Sequence, residues 1–223
     1  MFGRIRLTAK FTKKWGKGYK EPALKERIKE AIRSPEPLKP RLDLAVRRIE
    51  LQIQKLDKAT NRLTERDKAI FDRIVKAYSK HDMPRANVFA NELAGIRKME
   101  KMIMHSRLAL EQIALRLSTV SELGDVVTTL GPAVGVLRSV RDGMSAIFPE
   151  AERELGQIGN LLGGMITDVG QNTGVSIDFE TANDDAQNIL DEAATVAEQK
   201  IKEKFPALPA GIPTIGEKNP TEA

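Results

Sequence analysis

The first twenty residues combine concentrated positive charge with large aromatic side chains. They contain seven basic residues and no acidic one, and a surface of anionic lipid attracts this combination. Each basic residue near such a surface contributes roughly 1 kcal/mol, and aromatic rings bury at the interface. We therefore predict a membrane-contact segment, residues 1–20, whose contact residues are Phe2, Arg4, Arg6, Lys10, Phe11, Lys13, Lys14 and Trp15.

Two other interpretations of this segment stay open. One is a solvated basic tail without a specific partner. The other is contact with the phosphate backbone of a nucleic acid, which basic and aromatic residues also serve. The apolar residues fit neither one helix face nor one strand face throughout, so the sequence leaves the conformation of residues 1–20 undecided.

The carboxyl-terminal residues 205–223 form a proline-rich tail. Apolar residues and prolines alternate in its first part, which contains Phe205, Pro206, Leu208, Pro209, Ile212 and Pro213. Because proline prevents a helix there, we predict an extended segment that binds a partner at a low entropic cost. The alternative is a disordered terminus whose prolines only end the preceding helix.

No pattern typical of catalysis or metal binding accompanies these segments. His81 and His105 have no carboxylate or cysteine at ligand spacing, and the glycine-rich stretch 156–174 lacks the ending of a phosphate-binding P-loop. The chain contains no cysteine, which excludes disulfides and thiolate sites. We predict a structural and interaction protein, not an enzyme, without catalytic residues, cofactor, metal or small-molecule substrate.

The longest regular pattern is a pair of heptad repeats within residues 42–120. Apolar residues recur every seven positions between residues 42 and 77, and again between residues 89 and 117. This spacing places them on one face of a helix, and a short polar break with Pro84 separates the two repeats. The pattern predicts an antiparallel hairpin of two long helices over about residues 40–120.

Three positions of this apolar seam are polar, namely Thr60, Asp67 and Ser106. A deep core favours leucine or isoleucine at such positions. One interpretation is that these residues fix the register of the two helices. The other is that the far face of the hairpin also binds something.

Three further helices are predicted after the hairpin, at residues 122–148, 150–169 and 178–204, with a flexible linker at 170–177. Pro132 predicts a kink or a break in the first of them. The second should be marginally ordered or mobile, because each interior glycine costs up to ~1 kcal/mol. The last carries a thin apolar stripe that needs a docking surface, formed by Ile189, Leu190, Val196 and Ile201.

The predicted fold class is all-α, a long antiparallel helical hairpin with shorter helices packed on it or extending from it. A composition with 4% aromatic and 30% charged residues is typical of long helices with narrow apolar stripes. We divide the chain into the membrane-contact segment, a helical core at 21–148, acidic regulatory helices at 149–204 and the tail. No run approaches the ~20 apolar residues that span a bilayer, and the start lacks the apolar core of a signal peptide, so we expect no membrane-spanning helix. The lack of cysteine fits a cytosolic protein.

Charge is unevenly distributed along the chain. The net charge is +5, but residues 1–48 carry +10, residues 49–120 carry +5 and residues 121–223 carry −10. The acidic half can fold back on the basic half or meet the basic half of another copy. The distribution therefore predicts self-association under electrostatic control.

The order of these features resembles the ESCRT-III superfamily, and more closely the archaeal CdvB cell-division paralogues that lack a winged-helix module. The features are a basic aromatic start, a long hairpin, shorter acidic helices, a terminal helix and a proline-containing tail. The tail residues 205–213 look like the motif that ESCRT-III proteins present to the MIT domain of an AAA ATPase.

The resemblance implies a mechanism. Such proteins polymerise into curved filaments, with themselves and with paralogues, on the inner face of the membrane at a division site. The filaments constrict and sever a membrane neck, and the ATPase extracts subunits. A junction at about residues 120–124 would let the second and third helices merge when the closed form opens. Two other functions stay open, a cytosolic helical adaptor without membrane activity and a nucleic-acid-associated basic protein.

Overall fold

The structure, a computed structural model, describes residues 37–120, 123–173, 179–206 and 208. The predicted membrane-contact segment and the tail residues Pro209, Ile212 and Pro213 lie outside them. The described residues form helices α1 (Leu38–Ser79), α2 (Met83–Ser118), α3 (Leu123–Met144), α4 (Pro149–Thr173) and α5 (Phe179–Lys204). All five belong to a compact unit that begins at Leu38, and the predicted all-α fold is confirmed.

Helices α1 and α2 form the predicted antiparallel hairpin. Asp57 pairs with Arg107 and Asp67 pairs with Arg97. Ten residues further along α1 therefore correspond to ten residues back along α2. At ~1.5 Å rise per residue, the 42 residues of α1 span roughly 63 Å.

The turn between α1 and α2, which we call the hairpin tip, is closed by backbone hydrogen bonds. The Asp82 amide donates to the Ala77 carbonyl and the His81 amide donates to the Tyr78 carbonyl, which is the Schellman arrangement at a helix end. His81 occupies the left-handed position with φ 57°. Asp82 also begins α2, because its side chain accepts from the Arg85 amide.

Replacing His81 by glycine should stabilise the hairpin. A side chain in the left-handed region costs about 1–2 kcal/mol, and glycine removes this cost at the price of a more flexible unfolded chain. We expect a higher melting temperature for His81→Gly in thermal unfolding. His81→Ala keeps the Cβ atom and should show no gain, so an equal gain in both variants would contradict this explanation.

The hairpin core is divided into two apolar clusters. The tip cluster comprises Ile70, Ile74, Ala77, Ala86, Ala90, Leu93 and Ile96. The larger open-end cluster combines the first half of α1 and the second half of α2 with buried residues of α3, α4 and α5. Between the clusters lies a polar layer, which we define as Thr64, Asp67, Arg97, Glu100 and, from α5, Lys204.

The three polar residues of the predicted seam lie in or near the polar layer. Asp67 is buried and bonds to Arg97 of the opposite helix, which supports the register interpretation. Thr60 donates to the Leu56 carbonyl within α1. Ser106 is buried on α2.

Helices α3 to α5 pack around the open end of the hairpin and differ from the prediction in two places. Helix α3 runs without a break through Pro132, so a break there was wrong; neighbours Leu130 and Ala133 are buried and hold the segment in the core. Helix α4 continues to Thr173, so residues 170–173 are helical and not linker. Burial of Val169 in the open-end cluster extends this helix.

Candidate functional site

Helix α5 is docked on the chain's own α2 and α3 through a stripe of small and branched side chains. The buried residues of the stripe are Ala186, Ile189, Leu190, Ala193 and Ala197, at the three- and four-residue spacing of one helix face. Of the predicted stripe, Ile189 and Leu190 are buried, whereas Val196 is 38% exposed. The prediction was wrong for Val196, because the alanines and not the larger valine face the hairpin.

Polar contacts accompany the apolar stripe along α2. The Nε2 atom of His105 lies 2.9 Å from the Leu190 carbonyl, and the Gln112 amide donates to Glu192 over 3.3 Å. Lys101 forms an ion pair with Glu198. From Glu192 through Glu198 to Lys204 along α5, the side-chain partners on α2 are Gln112, Lys101 and Glu100. The partner numbers fall as the α5 numbers rise, so the two helices are antiparallel.

The Lys101–Glu198 pair makes docking of α5 sensitive to acid. The hydrogen bond from Lys101 and its positive charge lower the pKa of Glu198 below the ordinary value of 4.5. A carboxyl whose pKa is lowered in the folded state contributes stability above its ordinary pKa, and this contribution is lost as the pH falls through the lowered value.

Acidification below pH 4.5 should therefore weaken docking more in the native chain than in Glu198→Gln. The contribution is small because the pair is solvent-exposed and screened. Hydrogen exchange of the last turns of α5, followed across acid pH for both chains, measures the difference. Identical pH dependence in both chains would contradict it.

The end of α5 supplies the cation for a buried carboxylate inside the hairpin. Glu100 has no exposed surface, and its Oε1 atom accepts from Thr64 and, over 2.9 Å, from Lys204. Among the described residues, its Oε2 atom has no hydrogen-bond partner. Because a buried carboxylate is costly without a compensating charge, docking of Lys204 and stability of the polar layer depend on each other.

The first tail residues continue this contact toward the hairpin tip. Arg97 donates to the Pro206 carbonyl over 3.1 Å, and its guanidinium lies 5.0 Å from the centre of the Phe205 ring. Leu208 packs against the tip cluster. Three of the six predicted ATPase-binding residues therefore contact the chain's own hairpin.

Helices α3 and α5 approach closely at Gly135. A Cβ atom built on Gly135 lies 2.9 Å from the Cβ of Ala186, which is closer than two carbon atoms can pack. At Gly143 of the same helix, nothing lies within 4 Å of such an atom. The two glycines therefore form a matched pair, one in close contact with α5 and one with open space beside it.

Substituting Gly135 by alanine should weaken docking of α5. Overpacking a close contact costs about 1–3 kcal/mol, and faster hydrogen exchange along α5 measures the loss of docking. Gly143→Ala should leave exchange in α5 unchanged and raise helix stability by up to ~1 kcal/mol. Combining Gly135→Ala with Ala186→Gly moves the methyl group to the other helix and should restore protection; failure to do so would contradict the steric explanation.

The tail and the hairpin are recognisable in the sequence, but the residues that join them are not. Glu100, Arg97 and Lys204 carried no recognisable pattern. Within the described part of the chain, no group of three or more histidine and carboxylate side chains suits a metal ion. None of the described helices is both long and apolar enough to cross a bilayer.

The described residues define an all-helical class of protein in which a long hairpin carries a later helix of the same chain. The Snf7 family model matches residues 45–212. Cell division protein B1 of Sulfolobus acidocaldarius is 43% identical over 178 residues, 80% of this chain and 83% of that protein. Cell division protein B of the same organism is 33% identical over 172 residues, 75% of this chain and 66% of that protein. No solved structure matches the chain.

The chain belongs to the Snf7 family, that of the ESCRT-III proteins. The predicted resemblance is confirmed. Proteins of this family are structural and non-enzymatic, and this membership confirms that the chain is not an enzyme.

Proposed function

We propose that this chain is an ESCRT-III-like protein of cell division that polymerises on the cytoplasmic face of the membrane, constricts and severs it, and is remodelled by an AAA ATPase. The docked arrangement of α5 is its closed form. The main support for this proposal is that α5 and the first tail residues are docked on the chain's own hairpin. The matching relatives are named cell division proteins, which supports the cellular process.

The character of the docking contact suits a reversible closed form. Its apolar stripe is rich in alanine, so each side chain buries little area and contributes little free energy. Exposed ion pairs such as Lys101–Glu198 are weak and screened by salt. A membrane surface or a neighbouring subunit with a modest preference for the open form is then sufficient to shift the equilibrium.

Charge supports assembly between copies. The hairpin and the preceding residues are basic, and residues 121–223 are acidic. Once α5 leaves its own hairpin, the basic surface of one copy faces the acidic helices of the next. Homopolymers, and copolymers with related paralogues, follow from this complementarity.

The tail supports an order of events. Phe205, Pro206 and Leu208 contact the hairpin in the closed form. They become available to the MIT domain of the ATPase after α5 has undocked. The ATPase therefore engages assembled, open subunits in preference to closed ones.

Co-sedimentation with vesicles tests the proposal. The intact chain and a chain without residues 1–20 are mixed with phosphatidylserine-containing or neutral vesicles and imaged by electron microscopy. We expect anionic-vesicle binding and filaments that require the segment. A variant with Phe2, Phe11 and Trp15 replaced by alanine keeps the charge and should bind more weakly than the intact chain.

Other outcomes separate the alternative functions. Absence of vesicle binding and filaments at moderate salt would contradict the proposal and favour a cytosolic adaptor. Binding that duplex DNA removes more effectively than anionic vesicles would instead favour a nucleic-acid-associated protein.

A further inference from the structure

A cleft at the hairpin tip is lined by four basic side chains. It has a volume of about 280 Å³ and is lined by Arg73, Lys76, Ala77, Lys80, Asp82, Arg85 and Phe89. This volume is near the lower end of the range for small-molecule sites. The cleft lies at the end of the tip cluster that is opposite the polar layer. In sequence, its residues are distant from the predicted membrane-contact segment.

Within the described part of the chain, the four cations have no ion-pair partner. None of Arg73, Lys76, Lys80 and Arg85 takes part in any of the ion pairs of the described residues. The single carboxylate of the lining, Asp82, accepts from the Arg85 backbone amide over 3.2 Å and serves as the cap of α2. The cleft therefore presents a strong positive potential to an anion.

Helix stability explains only part of this concentration of charge. Arg73, Lys76 and Lys80 follow one face at spacings of three and four residues, where like charges repel. Arg85 lies in the first turn of α2, where the helix dipole disfavours a cation by about 0.3–1 kcal/mol. The helix dipole favours Lys76 in the last turn of α1, but it gives no such benefit to Arg73, which lies before that turn, or to Arg85.

One side of the cleft is a stacked pair. The Arg85 guanidinium lies 5.8 Å from the centre of the Phe89 ring. An arginine held against an aromatic ring is partly ordered in advance, and its planar fork suits a phosphate. The opposite wall is the Arg73–Lys80 face of α1, so a phosphate placed between the two helices contacts cations from both.

We propose that the tip cleft, defined by Arg73, Lys76, Lys80, Arg85 and Phe89, is a binding site for a multiply charged phosphate group. The inference rests on four cations from two helices that line one cleft and form no ion pair with any described residue. The phosphate belongs either to a lipid headgroup or to a soluble polyphosphate. This proposal does not rest on the proposed function, because a soluble anion would occupy the cleft without any membrane.

Calorimetric titration of the full chain with inorganic tripolyphosphate tests the site. The tip variant is Lys76→Gln with Arg85→Gln. The control variant is Lys55→Gln with Arg62→Gln, which removes the same charge from exposed positions of α1. We expect at least tenfold weaker binding for the tip variant and less than twofold weaker binding for the control.

Thermal unfolding accompanies the titration. The tip variant loses repulsion and the unfavourable dipole contact of Arg85, which offset the loss of the favourable dipole contact of Lys76. Its melting temperature should therefore lie close to that of the native chain, and lost binding cannot then be ascribed to unfolding. A second tip variant, Arg73→Gln with Lys80→Gln, should lose binding equally. Equal weakening in tip and control variants, or no saturable binding to the native chain, would overturn the proposal.

Vesicles distinguish the two sources of phosphate. Phosphatidic acid exposes a phosphate with up to two charges, whereas phosphatidylserine carries a shielded phosphodiester. If a lipid headgroup is the ligand, the tip variant binds phosphatidic acid vesicles at least fivefold more weakly, with phosphatidylserine vesicles of equal surface charge unaffected. If the ligand is soluble, only tripolyphosphate binding is lost; either result supports a phosphate site.

Discussion

Replacing Arg97 by alanine should destabilise the hairpin by about 3 kcal/mol, the expected cost of leaving a buried carboxylate without its cation. The carboxylate is Asp67, whose side chain is 2% exposed and bonds to Arg97 over 2.8 Å. Denaturant unfolding of the full chain measures the change. The same substitution also removes the hydrogen bond to Pro206 and the stacking on Phe205, so the tail should undock.

Two variants distinguish the loss of the buried Asp67–Arg97 ion pair from the loss of an exposed one. Arg66→Ala breaks an exposed pair between the same helices, with Glu92, and should cost less than about 1 kcal/mol. Replacing Asp67 by leucine and Arg97 by methionine together removes the buried charge and should restore most of the stability. The tail should nevertheless stay undocked in this double variant. Equal costs for Arg97→Ala and Arg66→Ala would contradict the assignment.

Replacing Lys204 by methionine should release α5 and the tail. The substitution leaves Glu100 buried with Thr64 as its remaining partner, and because Lys204 is itself 34% exposed the expected cost is about 1–2 kcal/mol. That cost corresponds to a roughly five- to thirtyfold increase in the open population. Hydrogen exchange along α5 measures it.

The matched control for Lys204 is Lys202→Met, which removes the same charge from the same helix end without touching Glu100. It should change exchange little. In a Glu100→Gln background, Lys204→Met should have a much smaller effect, because no buried charge is left behind. A Lys204 effect of the same size in both backgrounds would show that the ion pair does not hold α5.

Much of the hairpin was predictable because its signal is periodic and local. Seven-residue recurrence of apolar side chains requires only that each helix bury one face, and the break at Pro84 separated the two helices. The tip turn was also near its predicted position. Periodicity does not predict which residue a buried polar side chain pairs with. Asp67 was visible as an exception to the seam, but its partner Arg97 was not.

The docking site was harder to predict because its determinants are distant in sequence or individually weak. Glu100 lies beside the seam and its cation is 104 residues away, so no local pattern joins them. On α5, the alanines of the stripe are buried and Val196 is not. A close approach that requires a small side chain is seen at Ala186, where α5 meets Gly135 of α3. Propensity correctly marks Pro132 as unfavourable in a helix, but packing of the surrounding segment outweighs it.

A reversible cross-link between α3 and α5 tests the central claim that undocking of α5 precedes assembly. The chain has no cysteine, so Gly135→Cys with Ala186→Cys introduces a single possible disulfide. The Cβ positions are 2.9 Å apart and a disulfide needs about 3.5–4.5 Å, so a separation by roughly 1 Å accommodates it. We predict that the oxidised chain forms no filaments on anionic vesicles and that reduction restores them, with either single-cysteine variant unaffected by oxidant. Filaments of equal abundance from the oxidised and reduced chain would contradict the account.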